Sequence, residues 1–196
     1  FLNKINIITK LKYFSFGEKN KNKIFFVIRR KPSAGFFSNL AFVLNNLKIC
    51  KELNFIPVVD MKNYKTIYNE NNKICNSKNA WDYYFKKINK YKLNDVYKSK
   101  NVFFSDLTFQ RDMHFDMTNN SIKKYMKYIK IRGEILTEYK KFKKLYFNKK
   151  DKILGVHFRG STYKTARGHA MPPSASLMIK NIKYLIKKFN YSKVFI

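Results

Sequence analysis

A short apolar run, a turn and an amphipathic stretch near the start of the chain constrain its fold more than any other feature. Residues 23–28 (KIFFVI) combine aromatic and β-branched side chains in the pattern of a buried strand. The run gives way to RRKPSAGFFSN, where Pro32, Ser33 and Gly35 mark a loop. Leu40, Val43, Leu44, Leu47 and Cys50 then recur at helical spacing and predict an amphipathic helix to about Leu53. A second buried strand follows at 55–59 (FIPVV). Strand, loop, helix and strand in this order form a β–α–β unit, which implies a parallel sheet with a right-handed crossover.

The pattern begins again near the other end. Residues 153–158 read as a strand, 159–173 as a loop, 176–189 as a helix and 192–196 as the opening of a further strand. Between the two units the sequence is less regular. Residues 61–100 are rich in Asn, Lys and Tyr and are anchored by AWDYYF at 80–85, and 101–104 read as a short strand. From 121 to 147, apolar residues including Ile122, Met126, Ile129, Leu136 and Phe142 fit one or two helices broken at Gly133, and 148–152 form a polar link. The expectation is an α/β protein of two lobes, one over 1–150 and a second opening at 151. Ligands in such folds bind beyond the carboxyl ends of the strands, so the loops 29–39 and 159–173 hold the candidate sites. Because 193–196 read as an unfinished strand, the chain is expected to be a fragment of a longer protein.

Composition narrows the class. Hydrophobic residues make up 45% and aromatics 17%, which marks a globular chain and excludes a disordered one. No apolar run reaches the roughly 18 residues of a membrane span, and 1–12 lack the compact apolar segment of a signal peptide. Cys50 falls on the apolar face of the first helix, and Cys50 and Cys75 match no metal spacing, so reduced thiols in a cytoplasmic protein are expected. The net charge of +30 invites a nucleic-acid reading. Against it, the chain has 36 Lys to six Arg, the charge is spread along its length, and no nucleic-acid motif is present. The charge favours a solvated surface, with peripheral contact to an anionic membrane as a consequence of its size.

The segment GVHFRGS at 155–161 carries the most chemistry. A strand there runs through His157 and Arg159 into a Gly-containing loop. Arg159 can face a diphosphate with its fork of donors, and Gly160 lets the backbone approach a ligand. The alternative is that Arg159 pairs with a local carboxylate. The longer segment HFRGSTYKTARGHAMPP resembles the His-x-Arg motif of the fucosyltransferase superfamily, which includes the O-fucosyltransferases and the nodulation-type α1,6-fucosyltransferases. Bacterial members linked to surface-polysaccharide synthesis look most similar. AGFFSNL at 34–40 resembles the superfamily's first-lobe turn, and NAWDYYF at 79–85 a segment of the bacterial members. The three occur in the family's order and span roughly 33–196.

The resemblance implies a two-lobed GT-B-like fold, with an acceptor-side first lobe and a second lobe that binds a nucleotide sugar. It implies inverting, metal-independent glycosyl transfer from a GDP-sugar, commonly GDP-fucose, to a cell-surface glycan or its lipid-linked precursor. No bound cofactor or metal is expected. By the same resemblance Arg159 contacts the donor diphosphate, His157 supports the site's geometry, and Gly160 and Ser161 belong to the donor loop. Thr162 stands where the family usually carries Asp. A hydroxyl cannot supply that carboxylate's charge, so a degenerate relative that binds without turnover is an alternative, and a basic nucleic-acid-binding protein is another. On the leading reading, the 196 residues by themselves are not expected to be active.

Other residues are weaker candidates. His169, in the loop after Arg159, is the candidate general base, set against a His bonded to backbone. Lys164 and Arg167 would add charge near the donor, or are ordinary surface residues. Asp106, Asp112, His114 and Asp116 form a polar cluster read as a solvated loop. Gly35 and Asn39 shape the first-lobe loop facing the cleft, Asn39 either bonding a ligand or only ordering the turn. Trp81, Tyr83, Tyr84 and Phe85 either offer a sugar-stacking surface or fill a core.

Overall fold

The structure is a computed structural model that describes residues 11–30, 32, 35–105, 124–158 and 173–196. It is mixed α/β and divides into two compact units, residues 1–136 and 137–196, where the sequence placed the boundary at 150.

The first unit is built on a four-stranded sheet of β1 (Lys12–Phe14), β2 (Lys19–Ile28), β3 (Ile56–Val59) and β4 (Ser99–Phe104). Its spatial order is β1-β4-β2-β3. Strand β2 lies parallel to β3, with Ile28 opposite Val59, and parallel to β4, with Val27 opposite Phe104. Helix α1 (Phe36–Leu53) connects β2 to β3, which is the expected β–α–β unit. One expectation needs correcting: the sheet is mixed, because β1 joins the β4 edge antiparallel, with Tyr13 opposite Phe103. Its three residues, Lys12, Tyr13 and Phe14, are all exposed, so no buried apolar pattern marks it in the sequence.

The continuous apolar character of β2 follows from its central position. Phe25, Phe26, Val27 and Ile28 are buried almost completely and alternate between the two faces. Phe26 and Ile28 pack with Val43, Leu47, Ile49 and Cys50 of α1. Phe25 and Val27 pack on the opposite face with Val58, Val96, Val102 and Phe104. Two short helices, α2 (Ala80–Tyr84) and α3 (Leu93–Val96), serve these two faces. Burial pushes the Cys50 thiol pKa well up, in keeping with a packing role. Helix α1 ends where Asn54 adopts the left-handed conformation, at φ 57°. Gly17 turns the chain into β2 at φ +156°, and the Lys98 carbonyl oxygen lies where a side chain would begin, 2.9 Å from an ideal Cβ.

The AWDYYF segment is core. Trp81, Tyr83 and Phe85 are buried and Tyr84 is half-buried, and Phe36 meets both Tyr84 and Phe85 ring to ring. The stacking-surface alternative therefore falls away for this segment. Tyr125 and Ile129 complete the same cluster, and Phe85 pairs with Ile131 in an isolated bridge.

The second unit repeats the motif in small. Strand β5 (Ile153–Gly155) pairs parallel with β6 (Lys193–Phe195), and helix α5 (Ala175–Phe189) precedes β6. The strand expected over 153–158 stops at Gly155, with Val156 N–H adding one more bond to the Phe195 carbonyl at 2.8 Å. Helix α4 (Gly133–Tyr146) begins in the last residues of the first unit, and Gly133 opens it after a non-helical stretch at 127–132 that follows helical residues 124–126, in line with the two-helix alternative. Ser174 caps α5 by accepting from Leu177 N–H at 3.2 Å, and Asn190 ends it at φ 53°. Phe195 sits against the rings of Phe142 and Phe147. Lys193 Nζ reaches Asp151 at 2.7 Å and the Tyr146 carbonyl at 2.9 Å.

Candidate functional site

The chain leaves β2 through α1 to β3 on one side, then crosses to β4 on the other side of β2. The carboxyl ends of β2 and β4 therefore flank the point where strand order reverses, the position at which α/β sheets bind ligands. Each parallel strand is followed there by a polar residue: Arg29 after β2, Asp60 after β3 and Ser105 after β4.

Ser105 ties two of these ends together. Its Oγ accepts from Arg29 N–H at 2.9 Å and donates to the Arg29 carbonyl at 2.8 Å, while its own N–H donates to the Val27 carbonyl. Asp60 is fully buried and its carboxylate is saturated. Oδ1 accepts from the N–H groups of Lys62 and Asn63, and Oδ2 accepts from Asn63 Nδ2 and, at 2.6 Å, from Tyr97 Oη. Asp60 thus organises the 60–63 turn and is not free to act as a base. Burial and the bond to Asp60 push the Tyr97 phenol pKa far up, so it remains a hydrogen-bond donor.

Against this rigid base sit two arginines. The Arg29 guanidinium lies between the rings of Phe104 and Tyr64, at 4.1 Å and 4.4 Å from their centroids, and donates to Tyr64 Oη. Among the described residues no carboxylate forms an ion pair with it. Arg30 Nη1 donates to the Ser38 carbonyl at 2.9 Å and to Ser38 Oγ at 2.8 Å, which holds its charge on the first turn of α1, and burial lowers its pKa. That turn has no acidic residue and no side-chain cap, and Phe36 N–H is taken up by Tyr68 Oη at 2.7 Å. Arg30 on the first turn of the 18-residue helix and Arg29 at the end of β2 make this edge electropositive and suit it to anionic or oxygen-rich groups.

The residues expected from the sequence have mixed positions. Gly35 is the N-cap of α1, exposed, with open space where a side chain would stand. Asn39 lies inside the first turn, 5% exposed, with its N–H bonded to the Gly35 carbonyl at 3.0 Å. It is part of the helix's buried face, and the preceding residue, Ser38, carries the link to Arg30. His157 is exposed and lies two residues beyond β5. Arg159, Gly160, Ser161, Thr162, Lys164, Arg167 and His169 lie outside the described residues, as do Asp106, Asp112, His114 and Asp116. Arg29, Asp60, Tyr64, Tyr97 and Ser105 were not foreseen. A usable signal existed: each of Arg29, Asp60 and Ser105 is the first polar residue after an apolar strand run.

Among the described residues no three His, Cys, Asp or Glu side chains come together as metal ligands, and no helix is long and apolar enough to cross a membrane. Comparison with protein-family models, curated proteins and solved structures found no match to this chain.

Proposed function

We propose that the chain is part of a GT-B-like, GDP-sugar-dependent glycosyltransferase of the fucosyltransferase superfamily. One observation carries this reading. The described residues of both motif segments follow the first strand of a β–α–β unit, at its carboxyl end: 35–40 at the entry to α1, and 155–158 at the end of β5.

On this reading Arg159 faces the donor diphosphate and stabilises the charge that grows on it as the glycosyl–oxygen bond breaks and its electron pair leaves with GDP. An acceptor hydroxyl attacks the anomeric carbon from the opposite side, inverting it, and gives its proton to His169. His157 positions the loop, with Gly160 and Ser161 beside the phosphates. Arg29 and Arg30 give the first unit an electropositive edge suited to an oxygen-rich acceptor, a cell-surface glycan or its lipid-linked precursor.

The test is donor binding by protein expressed from the complete open reading frame. GDP and GDP-fucose should raise its melting temperature, and UDP-sugars should not. Arg159→Ala should weaken GDP binding by about 2–4 kcal/mol, roughly 30- to 800-fold. Unchanged GDP affinity in that variant removes the role given to Arg159. A response to RNA alone would replace the whole reading with a nucleic-acid-binding one.

A further inference from the structure

The first unit holds a second feature away from the arginine edge. Strand β3 is an edge strand, and its outward backbone groups are met by side chains, not by another strand. Asn79 Nδ2 donates to the Val59 carbonyl at 2.9 Å, and Asn89 Nδ2 donates to the Pro57 carbonyl. Asn79 Oδ1 also accepts from Met61 N–H at 2.9 Å, and Asn89 Oδ1 from Tyr91 N–H at 2.9 Å. These amides pin two loops, 61–79 and 86–92, against the strand. Between the loops a cavity of about 350 Å³ is left, within the usual range for small-molecule sites.

The lining is divided by chemistry. Val58, Ile88, Tyr91 and Leu93 give an apolar surface. Lys62, Lys73, Lys78, Lys87 and Lys92 stand around it, all on exposed positions. None of the five forms an ion pair among the described residues. The one carboxylate in the lining, Asp82, is 8% exposed and already accepts from Ser77 Oγ at 2.9 Å. Five ammonium groups around one hollow repel one another, and a multiply charged anion seated among them relieves that repulsion.

We propose that this cavity binds an organic phosphate, with the phosphoryl group held by the lysine rim and the organic body resting on Val58, Ile88, Tyr91 and Leu93. The site does not depend on glycosyl transfer, and its failure would leave that reading untouched.

A chain of charge +30 attracts anions everywhere, so the test compares equal charge changes at two places. Glucose 6-phosphate is titrated at 150 mM salt into the wild-type chain, into Lys62→Gln/Lys87→Gln, and into Lys140→Gln/Lys144→Gln on α4. All four positions are exposed, so the variants should melt with the wild type. The expected result is one bound phosphate per chain, weakened about tenfold or more in the cavity variant and less than twofold in the α4 variant. Phosphatidylcholine vesicles with and without phosphatidic acid form a second arm. Cavity-dependent binding to the phosphatidic acid vesicles alone would keep the site and make its phosphate lipid-borne. Equal losses in the two variants, several bound phosphates per chain, or no binding in either arm would overturn the proposal.

Discussion

Replacing Asn79 with Ala tests how the first unit is assembled. The Asn79 side chain is 5% exposed and bridges two main-chain groups from different segments, the Val59 carbonyl at 2.9 Å and the Met61 N–H at 2.9 Å. Alanine would leave a buried carbonyl and a buried N–H unpaired. A buried unsatisfied polar group costs about 1–3 kcal/mol, so two of them predict a loss of about 3 kcal/mol after partial relaxation. With a urea slope of about 2 kcal/mol per molar, the unfolding midpoint should fall by about 1.5 M. Trp81 is the only tryptophan, is 3% exposed and lies two residues away, so its fluorescence reports this unit directly. Asn89→Ala is the graded comparison, because Asn89 is only half-buried and water can replace its bonds. It should lower the midpoint by less than half as much. If Asn79→Ala shifted the midpoint no more than Asn89→Ala, the bridge would not be holding the loop to β3, and the cavity beside it would not be a built feature.

Two further perturbations test other parts of the same unit. Gly17→Ala places a Cβ 2.9 Å from the Lys98 carbonyl oxygen at φ +156°, and should destabilise by about 1–3 kcal/mol in the same urea titration. Asp82→Asn tests the buried carboxylate, whose pKa is raised chiefly by burial and pulled back by the Ser77 bond, Lys87 and Arg132. A folded pKa above the unfolded one means that the carboxyl favours the fold below its unfolded value, about 3.9, and that this contribution is lost as pH rises through the folded value. Asp82→Asn should therefore be more stable than wild type at pH 7, with the difference disappearing as pH falls toward 3. A constant difference across that range would show that Asp82 is not desolvated.

The arginine edge and the lysine-lined cavity show different routes from sequence to site. Arg29, Asp60 and Ser105 lie 31 and 45 positions apart along the chain, and only the strand order β4-β2-β3 puts their backbones side by side. Each is legible in isolation as a strand terminus. Their grouping is a property of topology. The five cavity lysines are invisible in a chain with 36, because exposure of a lysine says nothing until the loops that carry it are placed.

Local elements with a periodic burial pattern are legible in the chain alone. The run at 23–28 became a central strand buried on both faces, the 3.6-residue spacing from Leu40 to Cys50 became the inner face of α1, and the 55–59 run became β3. These follow from short-range rules, because an apolar run or stripe has few ways to leave water. Long-range packing supplied what periodicity cannot encode. It placed exposed β1 antiparallel beside β4, turned AWDYYF into core, and set Arg29 between the rings of Phe104 and Tyr64. Each of those outcomes depends on partners distant in sequence, whose positions are fixed only when the sheet assembles and the core packs.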